Sequence, residues 1–93
     1  MAEVRFSGEV RKAAGVASFG IDAGTVEELL EQLRRVMRPR FQELLFEGEK
    51  VRQEVGILVN GVDISSLAGL KTALTPFDQV TLSITGERGS PGG

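Results

Sequence analysis

The sequence predicts an α+β domain in which a mixed sheet of four to five strands wraps around one main helix. Three observations carry that expectation. Strand-like alternation opens the chain near residues 4–6 and returns near residues 80–84. A capped amphipathic segment occupies residues 26–38. An Asn60-Gly61 pair separates two short apolar runs, the signature of a tight hairpin.

The elements follow in order. Val4 and Phe6 alternate with Glu3, Arg5 and Ser7, the period of a half-buried strand. A second strand is expected over residues 16–21, where Val16, Ser18 and Gly20 alternate with Ala17, Phe19 and Ile21. Residues 8–15, bracketed by Gly8 and Gly15, are expected to connect the two as a hairpin. Thr25-Val26-Glu27-Glu28 has the form of a capping box. Behind it Val26, Leu29, Leu30, Leu33, Val36 and Met37 fall on one helical face. Pro39 disfavours helical geometry at Arg38, so the helix should end there, after about 20 Å.

Arg34, Arg35, Arg38 and Arg40 gather at that end. Cations there complement the helix dipole, and Glu31 precedes Arg35 by four residues, so the cluster reads as a solvated face rather than an anion site. Phe41, Leu44 and Leu45 indicate a short second helical segment closed by Gly48. Ile57-Leu58-Val59, Asn60-Gly61 and Val62-Asp63-Ile64 then form the hairpin. Leu67, Leu70 and Leu74 lie in a stretch too short for a long helix, and Thr75-Pro76-Phe77-Asp78 reads as a turn. Val80, Leu82 and Ile84 alternate with Thr81 and Ser83 in a final strand that no proline interrupts, which makes it the central one. Residues 1–84 are therefore expected to form one domain. Residues 85–93, TGERGSPGG, have no large apolar side chain to bury and are expected to be a flexible tail that spans about 30 Å when extended.

Composition limits the chemistry. The 93 residues suffice for one modest core. A net charge of −2, with no aromatics interleaved on a basic surface, argues against nucleic acid as partner. No apolar run is long enough to cross a bilayer, and MAEVRF is not a secretory leader, so a cytoplasmic protein is expected. The chain has no Cys and no His. Thiolate-held clusters, persulfides and the usual neutral-pH general base are thereby excluded; no metal site and no independent enzyme is expected.

The order of strands, helix, hairpin and final strand describes a β-grasp domain. The chain resembles the ubiquitin-like sulfur carriers, the family of the molybdopterin synthase small subunit and the thiamine-pathway sulfur carrier, in ILVNGVDI at residues 57–64, in TPFDQV before the last strand and in the closing Gly92-Gly93. The resemblance implies that an E1-like adenylating enzyme uses ATP to convert the Gly93 carboxylate to an acyl-adenylate. Sulfur from a donor protein then replaces AMP to leave a thiocarboxylate. The carrier itself would bind no cofactor. Gly92 and Gly93, lacking a Cβ, could thread a narrow channel, with Gly89 keeping the approach pliable and Pro91 stiffening it.

If Ile57 and Val59 face the helix, Leu58 must face outward, where ubiquitin-like proteins commonly meet partners, and Arg5 and Thr81 share its face by alternation. A molybdopterin-type carrier would also sit with the large subunit of molybdopterin synthase. The run GERGSPGG is longer and more polar than the usual approach to Gly-Gly, which leaves the receiving pathway open. Two alternatives remain: a modifier joined through Gly93 to target lysines, and a non-covalent β-grasp binding module.

Overall fold

Val4 and Phe6 are buried while Arg5 between them is exposed, so the opening alternation produces the strand it predicts. The computed structural model describes residues 1–84. Within them the order is β1 Ala2–Phe6, α1 Gly8–Ala14, β2 Ser18–Ile21, α2 Val26–Val36, α3 Pro39–Leu45, β3 Phe46–Glu47, β4 Lys50–Val51, β5 Val55–Val59, β6 Val62–Asp63 and β7 Gln79–Ile84. Two 3-10 turns, Ile64–Ser66 and Gly69–Lys71, lie between β6 and β7. The expectation of a flexible tail over residues 85–93 lies outside the described residues.

Five strands form one mixed sheet in the order β2-β1-β7-β5-β6. β1 and β7 run parallel, and the other neighbours are antiparallel. β7 is central, as its uninterrupted alternation requires: Val80 and Leu82 are completely buried between strands on both sides. Val26, Leu29 and Leu33 of α2 join Val4, Ile57, Val59, Val80 and Leu82 in a single core. The start of α2 is built as a capping box, with Thr25 Oγ1 accepting the Glu28 N–H at 3.1 Å. The Glu28 carboxylate reaches one residue beyond the cap and accepts the Gly24 N–H at 2.7 Å. At the other end Arg38 is extended, with ψ 162°, as the following proline demands.

Four expectations need correction. Residues 8–15 are no plain connection: Val10, Ala13 and Ala14, spaced by three and four, bury one side of α1, and Gly15 closes the helix at φ 81°. β1 and β2 still pair antiparallel, Val4 opposite Phe19, but β2 begins at Ser18 because the chain is leaving α1 at Val16, which is exposed. Val36 belongs to the solvent side of α2 and not to its apolar face: the helix stops there, and Met37, already in extended geometry, packs against the core in its place. Gly48 does not close the second helix. α3 ends at Leu45, with Phe46 as its cap, and Gly48, at φ 65°, instead turns the small β3–β4 hairpin that pairs Phe46 with Val51.

A glutamine that the sequence did not single out ties these pieces together. The Gln42 side-chain amide in α3 donates to the carbonyls of Leu33 at 3.1 Å and Met37 at 3.0 Å, and to that of Arg34, so it ties α3 to the last turn of α2, where the Leu33 carbonyl also accepts the Met37 N–H. Glu31 pairs with Arg34, at 3.1 Å, rather than with Arg35.

Candidate functional site

Ile57 and Val59 are buried on the inner face of β5, which turns Leu58 to the outer face, where it is half-buried. Strand register then sets its neighbours. Leu58 lies opposite Thr81 of β7, and Thr81 lies opposite Arg5 of β1. The three residues form one row across the middle of the sheet, roughly 10 Å from end to end at two strand spacings. Asp63 continues the row beyond Leu58, and Ser18 continues it beyond Arg5. Arg5 is held on this face by Glu3, at 3.6 Å, and the Gln79 amide donates to the same carboxylate at 3.2 Å. The ion pair is exposed, so it orients Arg5 more than it stabilises the fold.

The row lies close to the exit of the central strand. Thr81 precedes Ile84 by three residues, roughly 10 Å along β7. Between them Ser83 faces Gly56, so the outer surface leading to the strand end carries only small side chains. Ile84 is opposite Val55 and is the last described residue. The remaining expected site residues, Gly89, Pro91, Gly92 and Gly93, lie outside the described residues.

The opposite end of β7 is fixed by a hydrogen-bonded turn. Asn60, at φ 51°, and Gly61, at φ 85°, form the hairpin turn expected of Asn-Gly. The Asn60 amide donates to Asp78 at 2.9 Å and its oxygen accepts the Gln79 N–H at 2.9 Å, while Asp78 also accepts the Thr75 N–H at 2.8 Å. The Thr75 N–H first, and then the Asn60 amide, hold the Asp78 carboxyl below its ordinary range. Asp63, beside Leu58, is lowered too, by the backbone N–H and then the hydroxyl of Ser65. Among the described residues no three His, Cys, Asp or Glu side chains are placed to hold a metal ion. No helix among them is long and apolar enough to cross a membrane.

A five-stranded mixed sheet with its first and last strands parallel at the centre, packed on one principal helix, defines a ubiquitin-like β-grasp domain. A model of the ThiS family matches residues 4–82, and the chain belongs to that family of sulfur carrier proteins, which are carriers rather than catalysts. No curated protein matches the sequence. Solved structures match its fold. Small archaeal modifier protein 1 from Methanosarcina acetivorans is 24% identical over 95% of both chains, with a TM-score of 0.85. Urm1 from Trypanosoma brucei is 23% identical, covering 95% of this chain and 94% of that one, with a TM-score of 0.76. A chain of the BexX/CysO complex of Amycolatopsis orientalis is 20% identical, covering 91% of this chain and 96% of that one, with a TM-score of 0.76.

Proposed function

We propose that the Gly93 carboxylate is the group this carrier loads with sulfur, and that the row Arg5, Thr81 and Leu58 is where its activating enzyme docks. The observation that carries the proposal is the ThiS-family match across the folded body, followed by a sequence that reaches Gly92-Gly93. A carboxylate is a poor electrophile, because its charge is delocalised and oxide is a poor leaving group. An E1-like enzyme meets this need by letting the Gly93 oxygen attack the α-phosphorus of ATP, with pyrophosphate leaving. Sulfide-level sulfur (HS⁻) supplied through a donor protein then adds to the acyl carbon, AMP departs with the oxygen and the thioacid loses its proton, so that one carboxyl oxygen is exchanged for sulfur. The ATP belongs to the activating enzyme, and the carrier brings only its terminus and its docking surface.

The half-buried Leu58 supplies an apolar contact, and the small Ser83 side chain and Gly56, which has none, leave room for a partner on the same face. The test is intact mass after incubation with an E1-like enzyme, ATP and a sulfur donor. A shift of one oxygen-to-sulfur exchange on the full chain, absent when Gly93 is deleted, is expected. An unchanged mass in the presence of an enzyme that loads another carrier sinks the assignment.

A second reading has its own support, since a structural neighbour of nearly full mutual coverage is named a modifier protein. In that reading the same adenylate is attacked by a lysine amine of a target and an isopeptide bond forms. Larger species containing this sequence would appear in place of the thiocarboxylate.

A further inference from the structure

Asn60 is the only asparagine in the chain, and Gly61 follows it. Both residues are exposed. Asparagine is a thermolabile residue, and before glycine it is most open to attack, because the next backbone nitrogen can close a five-membered ring on the side-chain carbon with no Cβ in the way. Here nothing stands within 4 Å of the point that a Cβ on Gly61 would occupy, so water and base reach this turn unhindered.

What opposes that chemistry is a clamp on the carboxamide. Asn60 Nδ2 donates to Asp78 at 2.9 Å, and Asn60 Oδ1 accepts the Gln79 N–H at 2.9 Å. The Asn60 backbone N–H donates to the Gln79 carbonyl at 2.7 Å. Both ends of the side-chain amide are thus held against the start of β7. The clamp is itself braced, since the other oxygen of Asp78 accepts the Thr75 N–H at 2.8 Å. Ring closure draws Cγ onto the Gly61 nitrogen, makes that carbon tetrahedral and expels Nδ2, so neither side-chain hydrogen bond survives it. Asp78 restrains the reaction and does not assist it: its carboxyl, held below the ordinary range first by the Thr75 N–H, has no proton at neutral pH to give to departing ammonia.

We propose that Asn60 is a site of spontaneous hydrolytic modification, held closed by residues 78 and 79 and exposed to reaction when that turn loosens locally. The Gly61 nitrogen gives its proton to solvent base and bonds to Asn60 Cγ. The Cγ–Nδ2 bond breaks and ammonia leaves, giving a cyclic imide. Water then adds to one imide carbonyl and the carbon–nitrogen bond there breaks. Opening at Cγ yields aspartate; opening at the main-chain carbonyl yields isoaspartate, with the chain rerouted through the former side chain. Water has replaced ammonia, with no redox change and no cofactor. Neither product rebuilds the clamp. A carboxylate at position 60 has no donor to offer Asp78, and two like charges meet where a hydrogen bond of 2.9 Å stood. Isoaspartate also lengthens the two-residue turn that sets Val59 opposite Val62 and Leu58 opposite Asp63. A chain that opens here is marked permanently and loses the turn that begins its central strand.

The test incubates the full chain in mildly alkaline heavy-oxygen water and follows by mass the peptide 53–71, which trypsin releases after Arg52 and Lys71. Conversion adds the water-for-ammonia difference and one heavy oxygen. The urea-unfolded chain should convert, and the folded chain at least roughly tenfold more slowly, the factor that one hydrogen bond to an ionised group supplies. Asp78→Ala, with its fold checked by circular dichroism, should convert roughly tenfold faster than the folded wild type. Should that variant fail to fold, Asp78→Glu, which displaces the carboxylate, takes its place with the same expectation. Gln42→Ala weakens the fold at the α2–α3 contact instead, and should convert at the wild-type rate. The converted chain carries one more negative charge, so ion exchange isolates it, and its thermal midpoint should lie below that of the starting protein. Equal rates in the folded and unfolded chains overturn the proposal, as does a folded Asp78 variant no faster than the wild type, an equal acceleration in Gln42→Ala, or a converted chain that melts like the original.

Discussion

Leu58 sits between two buried neighbours and cannot share their side of the sheet, so what it touches outside decides its role. The substitution that isolates this is Leu58→Ser. An aspartate would face Asp63 across the β5–β6 pair and add like-charge repulsion to the fold. Loss of a central apolar contact costs about 1–2 kcal/mol of binding, roughly a tenfold or greater loss. Affinity of Leu58→Ser for the activating enzyme, measured by titration calorimetry, should fall by that factor with the thermal midpoint little changed. A collapse of the midpoint would show the side chain to be core. Gln42 makes the opposite prediction. Gln42→Ala removes a donor from three partly buried carbonyl contacts and should cost about 1 kcal/mol, roughly 4–8 °C in Tm, without altering activation.

The elements that were legible in the sequence are those whose signal is local. The capping box, the Asn-Gly turn and the alternation of β7 each need only a few adjacent residues, and each is present in the structure. Residues 8–15 read as a linker because the apolar triad of α1 spans barely two turns between two glycines, a pattern that helix periodicity cannot separate from a loop. Gly48 reads as a C-cap because it follows an apolar helical run, while the pairing of Phe46 with Val51 that it turns is a tertiary fact. The row Arg5, Thr81 and Leu58 was reachable from alternation alone, but its alignment required the register, which only the packed sheet supplies.

The turn before β7 has a pH signature. Asp78 is hydrogen-bonded as a carboxylate, so its folded pKa lies below the unfolded value of about 3.9. Its contribution is complete above that value and is lost as pH falls below it towards the depressed folded pKa. Midpoints measured across the acid range should therefore fall less steeply for Asp78→Asn than for the wild type.

At the scale of the whole molecule, the proposed reaction falls on a residue outside the described body, residues 1–84. Among the described residues every fully buried core side chain lies between Ala2 and Leu82. The parallel pairing of β1 with β7 places the last strand at the centre, and α1 packs against it, so Ile84 ends a strand held on both sides. A terminus launched from the most constrained strand needs no machinery of its own. What it needs is an unobstructed acyl carbon. Deleting Gly93, or extending the chain by one residue, should leave the thermal midpoint unchanged and abolish ATP-dependent pyrophosphate release by the activating enzyme. The two variants act differently: deletion moves the carboxylate one residue back onto Gly92, about 3.5 Å short of its position, whereas extension places a side chain where only glycine passes. Equal loss from both would mark a channel of fixed depth as well as fixed width. Normal pyrophosphate release from either would show that the enzyme does not require the carboxylate at Gly93, and would overturn that assignment.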